Sequence, residues 1–271
     1  MKSSRASEIN SLYFFLLLLF LFLFWTVSSS IAQQMSAPSD LDSGLVTVVY
    51  DGDTVRVQFS DGSSRRVRFI GVDTPELNDS RENIALWAHL AKRFSFYYLY
   101  RKKIHLTYDQ TRLDQHGRTL AYVWIDKEGL FNEFIIREGF AFAFLAFPFQ
   151  SDLQKRFKEA QQEARQRRKG FWKEGEPEVI ASDAVRSHLG KCISVKFVCS
   201  QVSQKRSFIY LTSSGQEFEA LIPQDRQALF PPARTYVGKE LIVSGFLEEF
   251  AGRPQMMIFF PRQLRSAADR K

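Results

Sequence analysis

The chain has 271 residues, 45% of them apolar, and a formal net charge of +7. That length suits two modest domains, each with its own small core, and the charge favours polyanionic partners, nucleic acid first and an acidic membrane surface second. Two cysteines, and no Cys/His cluster at zinc-ligand spacing, exclude a structural zinc site.

Lys2 and Arg5 precede an unbroken apolar run over residues 12–25, and Ser30-Ile31-Ala32 follows with small residues where a signal peptidase reads. The run is short for a bilayer span of roughly 20 residues. Residues 1–32 are therefore expected to be a secretory signal cut after Ala32, with an uncleaved membrane anchor as the alternative. An anchor would give transient membrane association through residues 12–25, and either outcome puts the remaining chain outside the cytoplasm. Residues 33–43 read as a polar linker.

Residues 45–49 are strand-like, Asp51-Gly52-Asp53 is a turn, and residues 54–59 alternate as a second strand. Asp61-Gly62 turns the chain into a third strand over 65–72, apolar on both faces near its end yet entered by Arg68. It leaves through Asp73-Thr74-Pro75-Glu76, where Pro75 holds two carboxylates at a set separation. An amphipathic helix follows over 82–100, then strands over 104–108 and 119–125, with Asp114-Gln115-His116-Gly117-Arg118 between them. A short helix over 131–138 stops at Gly139, and an apolar segment over 140–149 is broken by Pro148. Ser151 and Gln154 read as a capping box opening a long basic helix that ends at Gly170, with Phe171-Trp172 folding back as an apolar plug. The basic face of that helix is expected to be solvated.

Residues 175–185 read as a linker and 266–271 as a tail. Between them, over 186–265, five short strands with a loop or helix before the fourth fit a small OB-like barrel. Phe197, Phe208, Tyr210 and Phe246 are placed either to stack bases or to fill its core. Cys192 and Cys199 stand at odd spacing on one strand, so they point to opposite faces and are expected as two thiols.

Three charged blocks thus stand at strand ends of one five-stranded unit: Asp51 with Asp53, Arg68 with Asp73, Thr74 and Glu76, and Asp114 with Arg118. Clustered carboxylates need a positive partner, and without soft ligands a hard divalent cation, calcium or magnesium, is the natural one. Arginines beside such an ion suit a phosphate, because the guanidinium fork grips two oxygens at once. Ion, arginines and a spare carboxylate together describe phosphodiester hydrolysis.

These blocks resemble the thermonuclease (staphylococcal, or micrococcal, nuclease-like) family. The resemblance is carried by Val49-Tyr50-Asp51-Gly52-Asp53-Thr54, by Arg68 followed by Val72-Asp73-Thr74-Pro75-Glu76, by Asp114-Gln115-His116-Gly117-Arg118-Thr119-Leu120-Ala121-Tyr122, by residues 132–139 and by Gly170-Phe171-Trp172. It covers residues 44–174 and implies an α+β fold, an OB-type five-stranded barrel with three helices, followed here by the second OB-like barrel. It implies a Ca2+-dependent nuclease with 3′-phosphate products; water as nucleophile makes it sugar-nonspecific, cutting DNA and RNA, the N-terminal segment makes it exported, and a monomer is expected. Carried over, Asp53 and Asp73 ligate the ion by carboxylate and Thr74 by its carbonyl, with Asp51 in support. Glu76 is the general base, Arg68 and Arg118 grip the phosphate, and Asp114 steadies the turn that presents Arg118.

The segment over 140–149 departs from the family by carrying no tyrosine; Leu145 and Phe147 stand there, and Phe147 is left to stack on substrate. His116 replaces an aromatic before Gly117, where it would touch substrate or sit as an exposed turn residue, and the loop over 77–81 is short and lacks lysine. Two other readings compete: a nucleic-acid-binding scaffold that no longer cleaves, and a surface protein whose basic face binds envelope polymers. Removal of the chain from Arg186 onward is expected to spare the chemistry.

Overall fold

The computed structural model describes residues 42–126, 129–173 and 177–268. The expected signal or anchor over 1–32 and nearly all of the first linker lie outside the described residues. No helix among the described residues is long and apolar enough to cross a membrane.

Alternating apolar positions build the first barrel from β1 (Asp42–Val49), β2 (Thr54–Phe59), β3 (Ser64–Phe69), β5 (Lys103–Thr107) and β6 (Thr119–Ile125), with β4 (Val72–Asp73) outside it. The strands run in the order β3-β2-β1-β5-β6, and β3 closes on β6. Every pairing is antiparallel except this closure of the third barrel strand on the fifth. Val46, Val55, Val57, Val67, Ile104 and Val123 point inward and are fully buried. The expected third strand stops short: β3 ends at Phe69, Gly71 takes φ +71°, and β4 then pairs with β8 (Phe142–Ala143) as a separate two-stranded sheet.

Three helices pack on this barrel: α1 (Glu82–Leu99), α2 (Phe131–Arg137), preceded by β7 (Gly129–Leu130), and α3 (Ser151–Gln166). The capping box at α3 is absent. Gln150, not Ser151, occupies the cap position without a side-chain bond, and Gln154 turns back to donate to the Phe149 carbonyl at 2.7 Å. Most of the basic face of α3 is exposed, as expected, Lys155, Lys158, Arg165 and Arg167 among it, while some of its cations find partners in the protein. Arg156 and Arg137 both close on the buried Glu133, Arg167 meets Glu163 at 3.1 Å, and Arg165 lies over Trp172. Phe171 does plug the fold, packing edge-on to Trp87 and against Phe142.

The second barrel repeats the first. Its strands are β10 (Cys192–Lys205), β11 (Phe208–Ser213), β12 (Glu219–Pro223), β13 (Glu240–Phe250) and β14 (Arg253–Met257), in the order β13-β14-β12-β11-β10 with β13 closing on β10. Again the third strand pairs in parallel with the fifth. Described residues of the expected 175–185 linker belong to this barrel: β9 (Val179–Ala181) adds to β10 in parallel, and Val185 is fully buried in its core. At the far end, β15 (Leu264–Ser266) pairs with β13. Cys192 and Cys199 are free thiols.

The two barrels share apolar core. Phe246 of β13 is 1% exposed and meets Phe94 and Tyr97 of α1 and Phe140. A second cluster joins Ala85 of α1 to Leu221, Met257, Phe259 and Phe260. Burial of a phenylalanine contributes about 1.5–3 kcal/mol, so the seam is a substantial part of the stability of both halves. Across it, Arg93 of α1 pairs with Glu248, whose side chain is 2% exposed.

Candidate active site

Strand register brings the distant charged blocks to one end of the first barrel. Thr54 stands opposite Arg68 across β2 and β3, so the Asp51-Gly52-Asp53 turn abuts Arg68. Val67 stands opposite Thr119 across β3 and β6, so Arg118 enters beside the same strand. Gly52 is required where α1 crosses: an added Cβ would stand 2.6 Å from the Thr74 methyl and 2.9 Å from Ala91. Ser95 of α1 donates to the Gly52 carbonyl at 2.6 Å and fixes the turn from beneath.

Asp53 is the hub. Its side chain is buried, and Thr74 donates to Oδ2 through its backbone N–H at 2.9 Å and its hydroxyl at 2.7 Å. Thr54 donates to Oδ1 at 3.0 Å, and the Arg68 guanidinium closes on the same oxygen. Asp73 reaches Arg68 from the other side at 3.4 Å, with its own side chain half exposed. Asp51 accepts the Asp53 backbone N–H at 3.0 Å. Burial pushes the Asp51 carboxyl up from its ordinary range, against the pull of Arg68. Burial likewise lowers the Arg68 guanidinium, which Asp73 and Asp51 oppose. A guanidinium titrates so high that Arg68 keeps its charge at neutral pH.

Arg118 is held by one residue. Asp114 accepts the backbone N–H groups of His116 and Arg118, each at 2.9 Å, and Arg118 Nε at 2.6 Å. Burial works against the Asp114 carboxylate, but the hydrogen bonds from Arg118 outweigh it and hold the group below its usual range. These contacts tie the 114–118 turn and the Arg118 side chain to Asp114.

Arg68, Arg118, Asp114, His116 and Phe147 all line one cleft of about 500 Å³, floored by Phe69, Gly71 and Leu120. Phe147 is 69% exposed and forms a ring pair with Phe144. His116 is an exposed turn residue at the cleft edge. Glu76 is not drawn in by any contact. Its carboxylate is exposed and makes no hydrogen bond or ion pair among the described residues.

The groups beside Asp53 that could ligate an ion, the Asp53 and Asp73 carboxylates and the Thr74 carbonyl, all offer oxygen, the set a hard divalent cation prefers. Among the described residues no group of three or more His, Cys, Asp or Glu side chains forms a ready cage. Two carboxylates and a carbonyl suffice for an ion that keeps water and takes substrate phosphate oxygens. The Thr74 carbonyl accepts no hydrogen bond among the described residues although the residue is 6% exposed. An acceptor without a hydrogen bond on the residue that follows Asp73 and contacts Asp53 fits the ion.

Three further contributors stand outside the charged blocks, and of these only Asn132 falls in a family-like segment, 132–139. Lys92 of α1 is near enough to Asp51 for the carboxylate to favour its charge, although burial lowers the ammonium overall. Asn132 is fully buried and ties two elements of the cleft: it accepts Val123 N–H at 2.8 Å and donates to the Ile70 carbonyl at 2.9 Å. Ser95 is the third. Each is a polar residue on an apolar helix face, and that mismatch is the signal that singles them out.

A family profile described as staphylococcal nuclease homologue matches residues 66–174. A thermonuclease of Staphylococcus hyicus is 40% identical over 124 residues, which is 46% of this chain and 72% of that protein. A thermonuclease of Staphylococcus intermedius is 37% identical over 131 residues, 48% of this chain and 76% of its own length. Endonuclease YncB of Bacillus subtilis is 28% identical over 123 residues, 45% of this chain and 57% of that protein. With the barrel, the three helices and the two-arginine cleft in place, the chain belongs to the staphylococcal nuclease, or thermonuclease, family and is a nuclease-type hydrolase.

Proposed function

We propose that the protein is an exported, calcium-dependent, sugar-nonspecific nuclease that hydrolyses DNA and RNA to 3′-phosphate and 5′-hydroxyl ends. The observation that carries this reading is the convergence of Arg68 and Arg118 on one cleft, with Asp53 and Asp73 in contact with Arg68.

In this reading Arg68 and Arg118 bind the non-bridging oxygens of the scissile phosphate. Charge builds on those oxygens in the transition state, so preorganised guanidinium donors stabilise it more than the ground state. Asp114 keeps Arg118 aimed without a cost in side-chain freedom at each turnover. Glu76, a free carboxylate on the loop after Pro75, takes a proton from the attacking water. The new P–O bond forms in line with the bond to the 5′ oxygen, which breaks, and solvent protonates the departing 5′ oxygen. Asp53, Asp73 and the Thr74 carbonyl would hold the calcium ion, with Asp51 in support. When bound, the ion supplies Lewis-acid polarisation of the phosphate and offsets its charge. Phe147 stacks on a base beside the scissile bond and His116 touches the substrate at the cleft edge. Because water is the nucleophile, the ribose 2′-hydroxyl is not needed. Export rests on residues 1–32.

The test is digestion of single-stranded DNA, duplex DNA and RNA, with calcium and then with chelator, followed by analysis of product ends. Calcium-dependent cutting to 3′-phosphates is the expected result. Binding of all three without cutting would move the protein to the scaffold reading.

A further inference from the structure

A second cleft, of about 760 Å³, lies between the end of α1, the α1–β5 turn and the β13–β14 hairpin, so each barrel supplies one wall. The α1 wall is a column of rings and cations. Phe96 stacks on Tyr100 with centroids 4.3 Å apart, Arg93 lies over Phe96, and Arg101 lies over Tyr100. The opposite wall is Phe250, 49% exposed and 6.4 Å from Phe96. Arg101, Lys102 and Lys103 follow in a row along the rim, all exposed, and none makes an ion pair among the described residues. Arg101 holds φ +58°, a left-handed backbone that costs a non-glycine residue about 1–2 kcal/mol. Of the two acids on the rim, Glu249 stands 3.7 Å from Arg186, and Asp126 is exposed, 3.8 Å from the His105 ring, so the three cations outnumber the acids.

The unpaired cations of residues 101–103 beside the half-exposed Phe250 ring match a single nucleic-acid strand, whose phosphates want the first and whose bases want the second. An acidic peptide would satisfy the cations and leave the rings unused. We infer that this cleft is an exosite for single-stranded nucleic acid, binding a stretch of substrate remote from the scissile bond. The inference rests on the nuclease reading for its biological sense, but its chemistry stands on this cleft alone.

Its position sets what it does. Ile125 and Asp126 line it at one end of β6, while Arg118 precedes the other end. Six residue steps at about 3.3 Å each put the two clefts roughly 20 Å apart along the strand. Only a polymer can occupy both. The exosite therefore raises affinity for long strands and leaves short substrates unaffected. It also gives the second barrel a task, since that barrel supplies Phe250.

The test uses the full mature chain and two variants, Phe250→Ala and the double change Lys102→Glu with Lys103→Glu. All sites lie on exposed positions, so folding is expected to be kept, and a melting curve checks it. Affinity for a long oligothymidylate is read by fluorescence anisotropy in chelator, where no cutting occurs. Both variants are expected to lose about tenfold in affinity, the scale of one lost base stack. Their kcat/KM on a dinucleotide substrate is expected to match wild type. Wild-type affinity in Phe250→Ala would overturn the inference. So would equal binding of an abasic oligonucleotide, or of polyglutamate, because either would mean charge without stacking. Exosite binding in a protein that cuts nothing would keep this inference and refute the nuclease reading instead.

Discussion

The pair that crosses the seam gives the most exposed prediction about how the two barrels depend on each other. Arg93 Nε donates to Glu248 Oε2 at 3.0 Å, and a second guanidinium nitrogen closes on Oε1. The Glu248 side chain is 2% exposed and that of Arg93 is 14% exposed. Burial pushes the Glu248 carboxyl up, and Arg93 is the main force keeping it charged. Arg93→Met would leave the carboxylate with one strong partner, Gln255 Nε2 at 2.8 Å. Breaking a buried pair from one side costs about 3–5 kcal/mol, and the surviving Gln255 bond argues for the lower end. For a folded unit of this size, 3 kcal/mol corresponds to a fall in Tm of roughly 6–12 °C. Adding Glu248→Leu removes the stranded charge and should recover most of the loss, because an apolar replacement of both partners is often near neutral. Urea unfolding of the two single variants and the double variant reads this directly. A double variant no more stable than Arg93→Met, or a single variant within 1 kcal/mol of wild type on that scale, would refute the reasoning.

Phe246→Ala opens a cavity beneath Phe94 and Phe140 and should cost about 3–5 kcal/mol; a single cooperative unfolding transition is expected, and a catalytic half that melts unchanged would contradict the shared core. By the same logic, and against the expectation from sequence that removal from Arg186 onward spares the chemistry, a chain ending there should be insoluble or molten because Phe94 and Phe140 lose Phe246, as judged by circular dichroism and limited proteolysis. His89 stacks on Phe259 with centroids 4.0 Å apart, and burial lowers its imidazole from 6.5 to about 4. Its neutral form favours the fold, so stability is full above pH 6.5 and falls as the pH drops toward 4; the slope should flatten in His89→Leu, and an unchanged slope would remove His89 as its source. Gly71→Ala is expected to destabilise by at least ~1–2 kcal/mol from the left-handed backbone alone, and more because its Cβ would meet Phe157 at 2.7 Å; a neutral result in denaturant would contradict that packing. Amino-terminal sequencing of exported protein should begin at Gln33; an intact Met1 would favour the anchor.

The first barrel was legible because its strands alternate cleanly and its turns carry Asp-Gly pairs. The site was legible for the same reason: charges at strand ends are conspicuous against apolar neighbours, as at Arg68 and Asp73. Register then did what sequence cannot show, setting Thr54 against Arg68 and Val67 against Thr119. The linker was misread at Val179–Ala181 because three residues of edge strand carry too little pattern to stand out beside Pro177. The length suggests two domains with separate cores, and the pattern over 82–100 an amphipathic helix that buries one face. Helix α1 buries more than that: Leu90 and Ala91 join the first core, Ala85 faces Met257 and Phe260, and Phe94 meets both barrels. Of the aromatics held open for base stacking, Phe197 and Phe246 are core, 3% and 1% exposed, while Phe208 and Tyr210 pack at the seam cluster. The capping box failed because the motif fixes residue types but not the backbone entering the helix, and Gln150 takes the cap.

The most direct test of the proposed chemistry is single-turnover cleavage of single-stranded DNA by wild type and Glu76→Gln at saturating calcium, with calcium affinity measured in parallel. The rate is expected to fall by about 10²–10⁴-fold, with fold and calcium affinity nearly unchanged. Near-normal turnover by Glu76→Gln would contradict it and leave the attacking water without the base assigned here.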